Sequence, residues 1–180
     1  MSVGEALKYV SSQLGLPDPE PLAKLINFES GFNPKARNPY TGAGGLIQFM
    51  PDTARSLGYK DVEDLLAKNP DAEAQLRGPV LQYLSQFKPF RDPFPQSLYL
   101  SVFYPAYRFS APDTAFSDTV KKVNPGINVV GDYVKWVEKK TSKLVFIKKY
   151  SAIAFLFPVL IAGAALFYKH LKMKKSLQTI

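Results

Sequence analysis

Residues 21–31 read Pro-Leu-Ala-Lys-Leu-Ile-Asn-Phe-Glu-Ser-Gly, and how this stretch folds decides how the rest of the chain is read. Leu22, Leu25, Ile26 and Glu29 fall at i, i+3, i+4 and i+7, on one face of a helix that Gly31 ends as a C′ glycine. The face is apolar except at its C-terminal end, where it carries Glu29. A carboxylate there is costly to ionise, because desolvation raises its pKa and the negative end of the helix dipole acts the same way. A carboxyl kept protonated near neutral pH is what a general acid cleaving a glycosidic bond requires. The residues alone leave a second reading open, in which Glu29 sits at the edge of the stripe and is simply solvated.

Outward from this helix the pattern stays helical. Ser2 and Glu5 form a capping box ahead of Val3, Leu7, Val10 and Leu14 at helical spacing. Residues 32–48 are loop-rich, with Pro34, Asn38, Pro39 and the run Gly42-Ala43-Gly44-Gly45. Pro51 starts a short helix that Gly58 stops. Asp61 caps a helix through Leu66, and Asp71 another toward Phe87 with a break at Gly78-Pro79. Ser97–Phe109 is a strongly apolar helix candidate, flanked by turn-rich links. No alternating pattern is long enough for a large sheet, so the expected class is mainly α.

The chain has 180 residues, no cysteine and a single histidine, His170. That removes a disulfide scaffold, a thiolate zinc site and a cysteine nucleophile, and it leaves no material for a Ser-His-Asp triad or a multi-histidine metal site. The Asp61-Glu63-Asp64 cluster lacks an EF-hand pattern and reads as a capped, solvated helix start. No metal or cofactor is expected. The formal charge of +8 is unevenly placed. Residues 1–134 carry 13 basic against 14 acidic side chains, whereas residues 135–180 carry 10 lysines against Glu138 alone. A nucleic-acid-binding domain spreads its basic residues over the folded surface, and the first 134 residues do not, so nucleic acid is not an expected partner.

Between the lysines lies Ser151–Tyr168, SAIAFLFPVLIAGAALFY, 18 residues without a charge. As a helix it spans roughly 27 Å, close to the ~30 Å hydrocarbon core of a bilayer. Lys148 and Lys149 close it on one side, and Lys169, Lys172, Lys174 and Lys175 on the other. Trp136, Tyr150 and Tyr168 suit headgroup level, and Pro158 is tolerated in membrane helices. A buried core helix rarely needs lysine clusters at both ends. The expected organisation is a domain over 1–134, a basic juxtamembrane segment over 135–150, a single transmembrane helix over 151–168 and a short basic tail over 169–180. The lysine-rich stretch from Lys135 to Lys149 also suits an anionic membrane surface. The N-terminus, MSVGEALKYV, lacks the basic and apolar regions of a signal peptide.

Two motifs carry a resemblance. Glu29-Ser30-Gly31-Phe32-Asn33-Pro34-Lys35-Ala36, followed by Gly42-Ala43-Gly44-Gly45-Leu46-Ile47-Gln48-Phe49-Met50-Pro51-Asp52-Thr53-Ala54, resembles the soluble lytic transglycosylase family, with its ES-x-x-x-P-x-A and G-A-x-G-L-M-Q-x-M-P-x-T-A segments. The core likeness covers residues 29–58, and a weaker one extends to about residue 134. There Phe103-Tyr104-Pro105-Ala106 falls where the family has A-Y-N-A-G. Asn124-Pro125-Gly126-Ile127 and Gly131-Asp132-Tyr133 look like the tail of phage-type members. The resemblance implies a lysozyme-like helical domain cleaving the MurNAc-β-1,4-GlcNAc bond of peptidoglycan, with the glycan strand as partner. Glu29 aligns with the family's single catalytic glutamate. By that likeness it protonates the leaving oxygen, then acts as base on the C6 hydroxyl of the same MurNAc to leave a 1,6-anhydro end. Assistance by the N-acetyl group at C1 makes a second carboxylate unnecessary, and no other acidic residue lies between Glu29 and Asp52.

The same likeness assigns substrate-binding roles to further residues. Ser30 is the second residue of the first motif. Gln48 matches the family's glutamine, which orients substrate or the acid. Tyr104 matches the tyrosine of the third motif, whose phenol is placed to hydrogen-bond the catalytic carboxyl, and Asn38 falls near a position close to the bound N-acetyl group. Phe49, Tyr40 and Tyr107 are candidate sugar-stacking rings, although an aromatic side chain is more often core. The Gly42–Gly45 run reads equally as a site of close backbone approach to a polymer or as a mere turn; no G-K-[ST] follows to make it a phosphate loop.

The pattern also departs from the family. An extra residue within residues 39–41 separates the first two motifs, and Pro105 and Tyr107 stand where Asn and Gly are usual. A muramidase that admits water would keep the same acid and lack the cyclised product. A substrate outside the cytoplasmic membrane and an N-terminus without an export signal lead to the expectation of a single-pass protein of a virion membrane, anchored by residues 151–168 and acting at the host periplasm and cell wall during genome entry. Other virion membrane or capsid proteins are its further expected partners. A late lysis factor and a catalytically inactive wall-binding or structural virion protein are the alternatives.

Overall fold

The computed structural model describes residues 2–142, together with the backbone of Val145–Phe146 and Ile153–Ala154. The first helix, α1 (Val3–Leu14), starts on the expected capping box and ends at Gly15. The second, α2 (Glu20–Ser30), carries the deciding stretch and is closed by Gly31 at φ 60°, a left-handed turn that glycine adopts freely. Its Leu22, Ala23, Leu25 and Ile26 are buried at the centre of the fold. Short helices α3 (Pro51–Ser56) and α4 (Val62–Lys68) follow, the second capped by Asp61.

The run after Asp71 is helical but interrupted. Helix α5 (Ala72–Gln75) passes through a wider π turn over Leu76–Val80 into α6 (Leu81–Ser85), and Gly78 there has a non-helical backbone ahead of Pro79. Proline lacks the amide needed to continue the ladder, so the kink lies where the sequence placed it. This broken helix packs against α1.

Helix α7 (Gln96–Phe103) is shorter than the expected Ser97–Phe109 helix. Pro105 disfavours the helical region for the residue before it, and Tyr104 takes φ −154°, ψ 84°. A single 3₁₀ turn, Pro105–Tyr107, follows. Two helices were not anticipated as elements: α8 (Asp118–Val123) and α9 (Val130–Lys140). Helix α9 packs on both α2 and α7 and buries Val130, Tyr133 and Val137, spaced i, i+3 and i+7.

The boundary expected after residue 134 therefore falls inside α9. Val137 is fully buried, Trp136 meets Phe28 edge to face at 5.3 Å, and Glu138 pairs with Lys24 of α2 at 2.6 Å. The folded domain runs on at least to Thr141, itself buried, because the lysines of this segment alternate with residues that face the core. The expected membrane span at 151–168 lies outside the described residues, except that Ile153–Ala154 pair antiparallel with Val145–Phe146 as a short strand where a helix was expected. Val145, Phe146 and Ile153 are residue types that favour strands. Among the described residues no helix is long and apolar enough to cross a membrane.

Candidate active site

Glu29 occupies the last turn of α2, one residue before the closing Ser30-Gly31. The apolar side of the helix that puts Leu22, Leu25 and Ile26 into the core carries Glu29 toward α9. There the Tyr133 hydroxyl donates to Glu29 Oε1 at 3.2 Å. Burial pushes the Glu29 carboxyl up to about 7, against a smaller downward pull from that hydrogen bond. The residue as a whole is half-buried, although its carboxyl is desolvated. A group half-protonated near neutrality can give a proton in one step and take one in the next. Of the two readings the sequence left open for Glu29, burial favours the desolvated carboxyl.

Two phenols frame this carboxyl. Tyr133 is fully buried, stacked on Phe103 at 4.1 Å and 11° and met edge-on by Phe28 at 5.8 Å. Burial first, and the Glu29 charge second, hold its phenol far above the ordinary tyrosine range, so it stays a donor. Tyr83 of α6 is pushed up to about 12, mainly by burial and then by the nearby Glu29 charge, and its hydroxyl donates to the Ser101 carbonyl at 2.8 Å. The Tyr83 ring is met edge-on by Phe49 at 6.3 Å, which joins the surroundings of Glu29 to the loop that carries the second motif.

That loop is held by backbone and by one buried side chain. Gly44 and Phe49 exchange both backbone hydrogen bonds, at 3.1 and 2.7 Å, and Gly45 N donates to the Ala36 carbonyl at 3.0 Å. Gln75, with no exposed surface, accepts from Leu46 N at 2.9 Å and donates to the carbonyls of Pro34 (2.8 Å) and Asn69 (3.0 Å). Glycine is required at 45: φ is +79°, and a Cβ there would lie 2.7 Å from Gln75 Oε1. Gln48 has φ 54° without being glycine, a strained backbone of the kind that concentrates at functional sites. Its Nε2 donates to the Gly45 carbonyl at 3.0 Å, while its buried Oε1 has no donor among the described residues. An acceptor so placed suits a hydroxyl or amide donor of a ligand.

The other residues singled out in the sequence take different positions. Phe49 is only 2% exposed, a core ring against Tyr83 and not a stacking surface. Ser30 is buried, and its Oγ donates back to the Ile26 carbonyl at 3.2 Å, a contact within the helix. Asn38 Oδ1 accepts from the backbone of Tyr40 (3.0 Å) and Thr41 (3.3 Å), so its carboxamide oxygen shapes the loop instead of meeting an N-acetyl group. Tyr40, at that loop's tip, is 76% exposed and is the ring free to stack on a sugar. Tyr104 follows α7, meeting Tyr107 edge to face at 5.1 Å. The hydroxyl that donates to Glu29 Oε1 is that of Tyr133.

Tyr133, Tyr83 and Gln75 surround or support the site without matching either motif. For Tyr133 a signal existed: Val130, Tyr133 and Val137 share a helical face, and Tyr133 belongs to the Gly131-Asp132-Tyr133 triplet of the tail. Gln75 had none, since a lone glutamine in a helical run reads as solvated.

The family model of the transglycosylase SLT domain matches residues 12–82. It covers α2, the loop and the broken helix as far as the start of α6, and it stops short of α7 and α9. No solved structure matches the chain significantly. The match supports a lysozyme-like, transglycosylase-type enzyme that cleaves glycan, with peptidoglycan as its substrate.

Proposed function

We propose that the protein is a lytic transglycosylase in which Glu29 is both acid and base. The observation that carries this reading is the desolvated Glu29 carboxyl, pushed up to about 7 and held by the Tyr133 hydroxyl. As the protonated acid, Glu29 gives its proton to the glycosidic oxygen between MurNAc and GlcNAc while the C1–O bond breaks. As the resulting carboxylate, it takes the proton of the MurNAc C6 hydroxyl, whose oxygen closes on C1 to leave a 1,6-anhydro end. The N-acetyl oxygen assists at C1 between the two steps, so one carboxylate suffices. Gln48 Oε1 accepts from the sugar, and Tyr40 offers a face for it.

Pro105 and Tyr107, in place of the usual Asn and Gly, favour a second reading for the product: a muramidase that keeps Glu29 as acid and lets water attack C1. The charge-free run 151–168 between lysine clusters supports a membrane anchor, and the phage-type triplet at 131–133 supports a place in a virion membrane facing the host wall. Clearing of a peptidoglycan gel by the wild-type chain and none by Glu29→Gln is the expected result; no clearing by wild type ends the enzymatic reading. Mass spectrometry of the released muropeptides separates anhydro from reducing ends. Absence of the chain from lipid-containing particles rejects the virion placement.

A further inference from the structure

Helix α9 presents a second face beside the one that brings Tyr133 to Glu29. Asp132, Lys135, Trp136 and Lys139, spaced i, i+3, i+4 and i+7, line a cleft of about 310 Å³ whose other wall is Pro125, Gly126 and Ile127. The volume lies at the small end of ligand pockets and admits one sugar ring or a short peptide. Lys135 and Lys139 are both exposed, and neither forms an ion pair among the described residues. Like charges four apart on a helix repel each other, so a cleft that keeps two ammonium groups at its mouth favours an anion.

Asp132 faces the same cleft but is committed elsewhere. Its Oδ2 accepts from Asn128 N and Val129 N at 3.0 Å each, and these two bonds, with a smaller pull from Lys135, hold its carboxyl below the usual range. The aromatic wall is Trp136, whose ring also meets Phe28, the residue before Glu29, edge to face. The cleft therefore backs directly onto the end of α2 that carries the candidate acid. Two cations flanking a concave, aromatic-lined space fit a compact carboxylate attached to an organic chain.

Taking the substrate to be peptidoglycan, as proposed above, we infer that this cleft binds the free carboxylates of the stem peptide carried by the glycan strand, and so holds the strand while Glu29 acts on it. The peptide contributes affinity through a second contact on the same polymer, at a high effective concentration.

Trp136 is the single tryptophan of the chain, so its fluorescence reports directly on the cleft. The full chain in neutral detergent is titrated in parallel with a purified stem tetrapeptide, a peptide-free GlcNAc tetramer and phosphatidylglycerol vesicles. The expected result is a saturable response to the tetrapeptide that weakens with added salt. In Lys135→Gln/Lys139→Gln the apparent affinity for the peptide falls about five- to tenfold. The double arginine variant restores it, and affinity for the GlcNAc tetramer is unchanged in both. Equal peptide affinity in wild type and the double glutamine variant overturns the inference. So does the absence of a peptide response, or a response to vesicles alone, which would give the cleft to lipid. Peptidoglycan clearing by the same preparations separates the two proposals: clearing without a peptide response rejects the cleft and keeps the enzyme, whereas a peptide response without clearing does the reverse.

Discussion

The loop over residues 34–49 and helix α9 are held in place by different chemistry. The loop has almost no regular structure, and backbone hydrogen bonds, a glycine that admits no side chain and the three bonds of buried Gln75 fix its shape. Helix α9 is held by packing. It buries Val130, Tyr133 and Val137, and it is tied to α2 and α7 by Glu138, which accepts from Lys24 at 2.6 Å and from the Tyr99 hydroxyl at 2.6 Å. The loop lies inside the matched SLT region and α9 outside it. Loop geometry of that kind admits few residue choices, so its sequence is recognisable. A packed helix tolerates many, so the partner of Glu29 comes from the part of the chain with the weaker signature.

The largest effect is expected at Gln75. Gln75→Ala leaves the amide of Leu46 and the carbonyls of Pro34 and Asn69 without this partner. At about 1 kcal/mol or more for each buried group, the loss is about 3 kcal/mol. Denaturant unfolding checks this, and a cost below about 1 kcal/mol would mean that the loop does not depend on Gln75.

The Glu29 carboxyl gives the next effect, and its sign follows from the pKa. In the unfolded chain the group titrates near 4.5, and in the folded chain near 7. Between those values the unfolded state releases its proton while the folded state keeps it, so stability falls as pH rises through this window. The full penalty is present above pH 7 and amounts to about 3 kcal/mol at most, at about 1.4 kcal/mol per unit. Glu29→Gln does not titrate. Its stability relative to wild type is expected to rise by about 2–3 kcal/mol from pH 4 to pH 8, measured by denaturant unfolding at each pH. A flat difference would mean that the carboxyl is solvated.

What the sequence made legible follows the same division. The capping box at Ser2 and Glu5, the α2 stripe with Gly31 and the break at Gly78-Pro79 are local signals, and each is found in the structure. The burial of Phe49 was not legible, because a loop ring reads the same whether it faces a ligand or Tyr83. Nor was the length of α7, where the apolar run continues through Pro105 but the backbone cannot. The lysines of residues 135–140 hid a core face: charge counted along the chain gave a basic segment, whereas charge read at helical spacing leaves Tyr133 and Val137 pointing inward.

The smallest of these effects bears most directly on whether α9 belongs to the catalytic apparatus. Tyr133→Phe keeps the ring, its stacking on Phe103 and its edge contact with Phe28, so the fold is expected to persist. It removes the one hydrogen bond that lowers the Glu29 pKa, and that pKa therefore rises above about 7. A hydrogen bond to a charged group contributes about 1.5 kcal/mol, so under the proposed function kcat is expected to fall about tenfold for the step in which Glu29 gives up its proton and becomes the carboxylate that Tyr133 stabilises. The alkaline limb of kcat/KM, which reports ionisation of the acid in the free enzyme, moves to higher pH. A tyrosine that served only to pack α9 would lower activity equally at every pH and leave that limb in place. Movement of the limb is thus the signature of a positioning hydroxyl, and a pH profile of wild type and variant shows which role Tyr133 has.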